Sequence, residues 1–486
     1  MSHVRTKSLI FNSIFNVCYQ LLNVIFPLVT SAYVSRILMP SGIGKVALAQ
    51  NWAQYFVIFA ALGIPNYGIR EIAQSKDNLY HLRKTFSELW IINAVSTTIS
   101  IFLYIASIII SGNIYNNYPL YLVVSLTIVF NYLNIDWFYQ GMEEYKYITV
   151  RSFVIKCISL VFIFLFVRSA HDYSWYAFIS ALAIGGNNIL NWIHLNSLKV
   201  SLTVKSIHPF RHLKSVLVLF STVASIQLYT LLITTLLGVL STETAVGYYS
   251  NSMKIVRMLI TVIAAIGGVL LPRLSVYEKK GMKERSLQTI NRVFEILIFL
   301  FLPVWAGLLI ISRPLVLVLF GTSYLPAVST MRISAFLILA LGFSNLFGTQ
   351  VLVTYKKEKI LLVCTLLGAT ACVILCFILI PRYHENGAAC ASVISESIVT
   401  ISTFICARLI FPIAPRIKVL YQCAVGTLIM SILVWGTMHI SGNCIAQLLI
   451  SVLVGGISYF IFNIVVKNPI LCELLSSFLK TSNEKK

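Results

Sequence analysis

"YYSNSMKIVRMLITVIAAIGGVLL", residues 248–271, is an apolar run that carries two cations near its start, Lys254 and Arg257. A run of about 20 apolar residues is long enough to cross the roughly 30 Å hydrocarbon core of a bilayer. Residues three apart share a helix face, so one side of this helix is cationic. Charge inside a membrane segment is costly and is usually tied to function. Whether the stretch is a membrane span therefore decides both the fold and where a site should lie.

The rest of the chain settles the question. Of 486 residues, 58% are hydrophobic and 11% charged, with a mean hydropathy of +0.86, whereas an average soluble domain carries about 25% charged residues. Fourteen runs of comparable length recur: 9–34, 44–68, 86–111, 119–141, 148–168, 173–198, 215–240, 247–271, 293–312, 328–354, 359–380, 387–411, 418–438 and 442–466. The connectors are short, and the longest, residues 272–292, leaves no room for a soluble domain. The expected fold is an all-α polytopic membrane protein of about 14 transmembrane helices.

The net charge of +21 would suggest nucleic acid in a soluble domain. In a chain of many spans, basic loops instead fix orientation. Alternate connectors hold about 28 Lys and Arg on one side, against Arg36, Lys45, Arg168, Arg313 and Arg382 on the other. Both termini are therefore expected in the cytoplasm, with an even number of spans. The start, "MSHVRTKSLIF", leads into a full-length span without a small-residue cleavage site. Cys18, Cys157, Cys364, Cys372, Cys376, Cys406 and Cys423 all fall inside apolar segments and no CxxC pair occurs, so neither a metal nor a redox cofactor is expected.

An internal repeat is visible. Gly44 and Arg70 bracket the second run as Gly247 and Arg273 bracket the eighth, at a common offset of 203 residues; Tyr145-Lys146 and Tyr355-Lys356 follow the fourth and tenth runs at an offset of 210. The expected organisation is an N-terminal six-helix lobe (1–205), a C-terminal six-helix lobe (206–411), and two additional helices with a tail (412–486). Paired halves with a site at their interface are a recurring transporter architecture.

Three stretches resemble a known family. "FPLVTSAYVSRILMPSGIGKVALAQNWAQYFVIFAALGIPNYGIREIA", "DWFYQGMEEYKYIT" and "VGYYSNSMKIVRMLITVIAAIGGVLLPRLS" are similar, in order, to bacterial polysaccharide biosynthesis proteins, the Wzx-type O-antigen flippases. The resemblance covers nearly the whole chain and is least specific over the last two spans. It implies a multidrug/oligosaccharidyl-lipid/polysaccharide exporter fold, with two lobes around a central cavity. It also implies a substrate, an oligosaccharide linked to undecaprenyl pyrophosphate, moved by alternating access to the outer leaflet of the bacterial inner membrane. The polysaccharide polymerase complex and membrane lipids are the implied partners, with no nucleic acid.

Candidate site residues follow from position and charge. Fourteen uncharged residues separate Arg257 from Pro272, about 21 Å of helix, which puts Arg257 in the outer half of the bilayer core. Snorkelling is the structural alternative, but two cations on one face repel unless an anion or water lies between them. A pyrophosphate suits such a face. At the repeat offset, Lys254 and Arg257 correspond to Asn51 and Gln54, neutral amides suited with Gln50, Gln20 and Asn23 to sugar hydroxyls. Lys156, eight residues into the fifth run, either snorkels or offers a further cation to the substrate.

Glu396, in mid-span, and Asp136, in "DWFYQG", are the candidates for coupling to an H+ or Na+ gradient. Their structural alternatives are a neutral acid bonded between helices and an interfacial belt formed by Trp137, Phe138 and Tyr139. "PSGIGK" (40–45) lacks the GxxxxGK[ST] spacing and is expected to be a short loop between spans. Two rival functions stay open. A cation-coupled multidrug exporter of the same fold would favour acids in its cavity, and this chain offers more buried-looking Lys and Arg. A membrane glycan polymerase or ligase would need a long external catalytic loop, and the external connectors are short.

Overall fold

The computed structural model describes residues 9–110, 117–198, 200–203, 207–267, 274, 276–278, 280–439 and 442–473. Among these, every regular element is helical, as expected for a chain that must satisfy its own backbone in lipid. Among the described residues, eight helices are long and apolar enough to cross a membrane. The chain divides into two compact units, 1–239 and 240–486.

The first unit opens with α1, Leu9–Ala61. A single residue, Met39 (φ 61, ψ 173), breaks it into two helical segments. The break is local: the ring of Pro40 disfavours the α conformation in the residue before it, and proline itself suits the first turn of the next helix. "PSGIGK" is therefore not a loop. It forms the first turns of the second segment, and Met39 alone makes the bend.

Next come α2 (Ile64–Ser75), α3 (Leu79–Ile110), α4 (Tyr118–Val129), α5 (Asp136–Gly141), α6 (Tyr145–Phe166), α7 (Tyr173–Leu195) and α8 (Phe210–Leu240). By the repeat, α8 heads the segment 206–411, yet it packs in the first unit. Its Thr235 hydroxyl lies 2.8 Å from the Asn51 amide and 2.9 Å from the Tyr55 hydroxyl. At Gly63 (φ +75) the chain turns against α8 so closely that a Cβ would sit 2.7 Å from the Phe220 nitrogen.

The aromatic run of α5 also departs from expectation. Trp137, Phe138 and Tyr139 are not a headgroup belt. All three are buried, 2%, 0% and 0% exposed, in a cluster with Ile64, Tyr67, Phe86 and Leu89. Phe86 meets Phe138 edge to face at 5.1 Å, the geometry that ring quadrupoles favour.

The second unit contains α9 (Glu243–Gly267), α10 (Lys283–Phe320), α11 (Ala327–Ser344), α12 (Glu358–Ile410), α13 (Ile417–Thr437) and α14 (Cys444–Val465). A π-helical stretch, Asn345–Val353, continues α11. The basic segment from Lys283 to Arg292, expected to be connector, is the first turns of α10. α12 is broken only at His384 (φ 48, ψ −124), so the expected connector around it shrinks to a bend. Phe299, Val419, Cys423, Met430 and Tyr459 form a core that ties α13 and α14 to α10.

Candidate functional site

On α9 the sequence pattern separates two faces. Val246, Tyr249, Asn251, Ser252, Met253, Ile255 and Val256 are buried, whereas Lys254, Arg257 and Thr261 are exposed on the opposite face. Polar contacts pin the buried face. The Tyr249 hydroxyl lies 3.0 Å from the Ser392 hydroxyl on α12, and Ser252 Oγ donates to the Ala327 carbonyl at the start of α11. The ammonium of Lys254 donates to Asn251 Oδ1 at 3.2 Å, and Arg257 forms no salt bridge among the described residues. The structure thus holds both cations side by side on an exposed face of α9. The expected turn at Pro272 and Arg273 lies outside the described residues.

The remaining candidates fall in different surroundings. Asn51 uses both amide donors inside the first unit, on the Leu231 carbonyl and Thr235 Oγ1, so only its oxygen is left for a ligand. Gln54 is exposed and, with Gln50, lines a polar cavity. Lys156 is half-buried, donating to Asn23 Oδ1 at 2.7 Å and standing 5.8 Å over the Phe26 ring, so the structure joins it to the first segment of α1. Glu396 is half-buried on α12, four residues from Thr400, whose hydroxyl bridges the carbonyls of Glu396 and Ala340.

Asp136 has a specific environment. Its carboxylate receives the Arg151 guanidinium at 3.0 Å and the Asn191 amide at 2.6 Å, and Arg151 also donates to Asn191 Oδ1. Arg151 is 2% exposed in its side chain and Asp136 29%. This is a charge-compensated network joining α5, α6 and α7. Arg151 and Asn191 escaped the sequence reading, although "GGNNILNWIHLN" (185–196), with four asparagines in one apolar run, carried a signal.

A second carboxylate that sequence reasoning passed over, Glu88 on α3, is fully buried and binds the Arg211 guanidinium at 2.7 Å and His212 Nε2 at 2.9 Å. The other nitrogen of His212 lies 2.7 Å from the Tyr67 hydroxyl. A polar cavity of about 470 Å³ opens beside this group, lined by Tyr67, Glu71, Asp77, Arg211 and His212 among others.

Helices of membrane-crossing length, with polar and cationic side chains on exposed faces, define a polytopic membrane protein. The chain belongs to the polysaccharide biosynthesis protein family, whose model matches residues 9–278. It is 26% identical over 400 residues to the "Putative O-antigen transporter" of Escherichia coli (strain K12), covering 78% of this chain and 91% of that one. It is 21% identical over 382 residues to the protein of the same name in Shigella dysenteriae, covering 78% and 95%.

Solved structures share its fold, two of them with a TM-score of 0.63. "Lipid II flippase MurJ, inward closed conformation" superposes with a TM-score of 0.63 at 15% identity, over 95% of this chain and 100% of that one. The inward-facing form of a "multidrug resistance MATE family transporter of the MOP superfamily" also scores 0.63 at 14% identity, over 80% and 94%.

Proposed function

We propose that the protein is a flippase that carries a polyprenyl-pyrophosphate-linked oligosaccharide, an O-antigen or capsule repeat unit, from the cytoplasmic to the outer leaflet of the bacterial inner membrane by alternating access. It is a transporter and catalyses no covalent chemistry. The family and the transporters named above support the cargo class. The fold alone does not choose between cargoes, since a lipid flippase and a multidrug transporter superpose with the same TM-score of 0.63. The observation that carries the choice is the exposed cationic face of α9. Lys254 and Arg257 stand together where a cationic drug would be repelled and a pyrophosphate attracted.

In this reading the pyrophosphate meets Lys254 and Arg257, while Asn51 and Gln54 face the glycan and Lys156 supplies a further cation. Glu396, half-buried in mid-helix, is the residue through which an H+ or Na+ gradient would act, and Asp136 is the second candidate. Fourteen spans in two six-helix lobes (1–205 and 206–411), with a two-helix extension (412–486) and both termini in the cytoplasm, agree with the loop charges and the internal repeat. Delivery to a polysaccharide polymerase in the same membrane is the natural next step.

The test is to delete the gene and look for undecaprenyl-pyrophosphate-linked repeat units stranded in the cytoplasmic leaflet, then to complement with Lys254→Ala plus Arg257→Ala at normal protein level. Accumulation that wild type relieves and the double variant does not is expected. Undiminished export by the double variant would sink the cationic site, and no accumulation on deletion would sink the flippase.

A further inference from the structure

A cavity of about 290 Å³ lies wholly within the first unit, between the second segment of α1, the end of α4 with the residues after it, and α7. We propose that it is a sugar subsite that takes one uncharged, hydroxyl-rich ring of the transported glycan. The inference rests on the flippase reading for the source of the ring, and on the cavity alone for its chemistry.

The lining decides that chemistry. Gln50, Gln54, Thr127, Asn134, Ser180 and Asn188 contribute polar groups, and none of the lining residues is charged. Without a cation the cavity has nothing to pair with a phosphate or carboxylate. Without an acid or an aromatic face it has nothing for an ammonium or a drug cation. An apolar chain would strand these polar groups without partners, and each group left unpaired weakens binding. An uncharged ligand that both donates and accepts hydrogen bonds is what remains.

The hydrogen bonds already made show which capacities are open. Thr127 and Ser180 donate to the Val124 and Tyr176 carbonyls of their own helices, both at 2.8 Å, so their lone pairs stay available to accept. Asn188 donates one amide hydrogen to the Phe130 carbonyl at 2.9 Å, which leaves its second N–H and its oxygen. Gln50 and Gln54 sit four residues apart on one face of α1, and neither makes a hydrogen bond with any described residue. Each therefore brings two donors and an acceptor. A wall with fixed acceptors at Thr127 and Ser180 faces two adaptable amides, which matches hydroxyls that must both donate and accept.

The site is also pre-organised. Asn131, at the back of the cavity, donates to Asn93 Oδ1 at 2.9 Å and Thr97 Oγ1 at 2.8 Å, and its carbonyl accepts from Asn93 at 2.7 Å. A wall locked in this way loses little freedom when a ligand binds. Gln54, exposed at its edge, marks the entrance. The volume of about 290 Å³ sits just below the range of about 300–1,000 Å³ for small-molecule sites, which suits a single ring rather than a whole repeat unit.

The experiment uses the full-length protein in lipid nanodiscs, free of sugar detergents. Saturation-transfer difference NMR is recorded with D-glucose, D-galactose and N-acetylglucosamine, and with glucuronate and glucosamine as charged controls. Transfer to at least one neutral sugar, at least fivefold stronger than to the charged controls and at least fivefold weaker in Gln50→Leu plus Gln54→Leu, is expected. Gln54→Met, at the exposed edge, serves as a milder variant and is expected to weaken transfer severalfold with an unchanged unfolding temperature.

No transfer in wild type, or equal transfer in wild type and both variants, would mean the cavity holds only water and would overturn the proposal. Equal transfer to charged and neutral sugars would do the same. Binding without stranded lipid on deletion would leave the subsite standing and remove the flippase. Stranded lipid without binding would do the reverse.

Discussion

The buried carboxylate of Glu295 on α10 receives the backbone N–H of Arg416 at 2.7 Å and the guanidinium of the same residue at 2.6 Å. Arg416 immediately precedes α13, so one acid caps the start of that helix and neutralises its arginine. The first unit repeats the arrangement. Glu88 on α3 accepts the N–H of His208 at 2.7 Å and the guanidinium of Arg211 at 2.7 Å, at the start of α8. Each acid is essentially buried, 2% and 0% exposed, and each arginine is 49% exposed. Positions 88 and 295 differ by 207 and positions 211 and 416 by 205, between the offsets of 203 and 210 already visible in sequence. The duplicated unit therefore includes the start of a seventh helix, which is why α8 packs with the first unit and α13 with the second.

Replacing either acid by glutamine keeps its shape and removes its charge. Hydrogen bonds to charged groups contribute about 1.5–3 kcal/mol, and half-exposure of the arginines moderates the loss. Glu88→Gln and Glu295→Gln should each cost about 2 kcal/mol, read as a fall of several degrees in thermal unfolding. A midpoint within 1 °C of wild type for both would show that these clamps contribute nothing.

The Asp136 network makes a sharper test of role. With Asp136→Asn, the Arg151 charge stays buried and loses its counter-ion, a situation that costs about 3–5 kcal/mol. The variant should fall well below wild type in membrane abundance and unfolding temperature. Asp136→Leu combined with Arg151→Met, which removes both charges, should recover much of the loss. A stable Asp136→Asn protein that exports without dependence on the ion gradient would instead make Asp136 the coupling site.

Gly63 sits where no side chain fits. Its φ of +75 costs a residue with a Cβ about 1–2 kcal/mol, and the added carbon would stand 2.7 Å from the Phe220 nitrogen and 2.9 Å from the Val216 carbonyl. Gly63→Ala should loosen α8 from the first unit and lower the unfolding temperature by more than either glutamine variant. An alanine protein as stable as wild type would contradict the close approach.

The membrane class was legible because hydropathy integrates over many residues and forgives local error. The cationic face of α9 was legible too, since a charge in a long apolar run stands out by contrast. What escaped is what depends on partners far apart in sequence. Glu88 falls near the start of the third apolar run (86–111), where nothing nearby in sequence names a partner, and only the fold brings Arg211 and His212 to it. Trp137, Phe138 and Tyr139 looked interfacial because aromatics beside acids usually are, yet α5 turns them into the core with Phe86. The bends at Met39 and His384 were hidden because one residue of positive φ replaces a whole loop.

The pair on α9 permits a test that separates charge from shape. Both side chains are exposed and Arg257 makes no salt bridge among the described residues, so their removal should leave the unfolding temperature within about 1 °C of wild type. Loss of a charge-assisted contact to a bound anion is worth about 1.5–3 kcal/mol, roughly 10- to 100-fold in affinity. Arg257→Ala should therefore lower export by at least an order of magnitude. Arg257→Lys, which keeps the charge but loses the bidentate fork, should fall between wild type and alanine, and Arg257→Glu should export least of all. The measurement is surface glycan per unit of membrane-embedded protein across the three variants. The same export from lysine and glutamate variants would mean that the residue serves only to snorkel, and that the anion is held elsewhere.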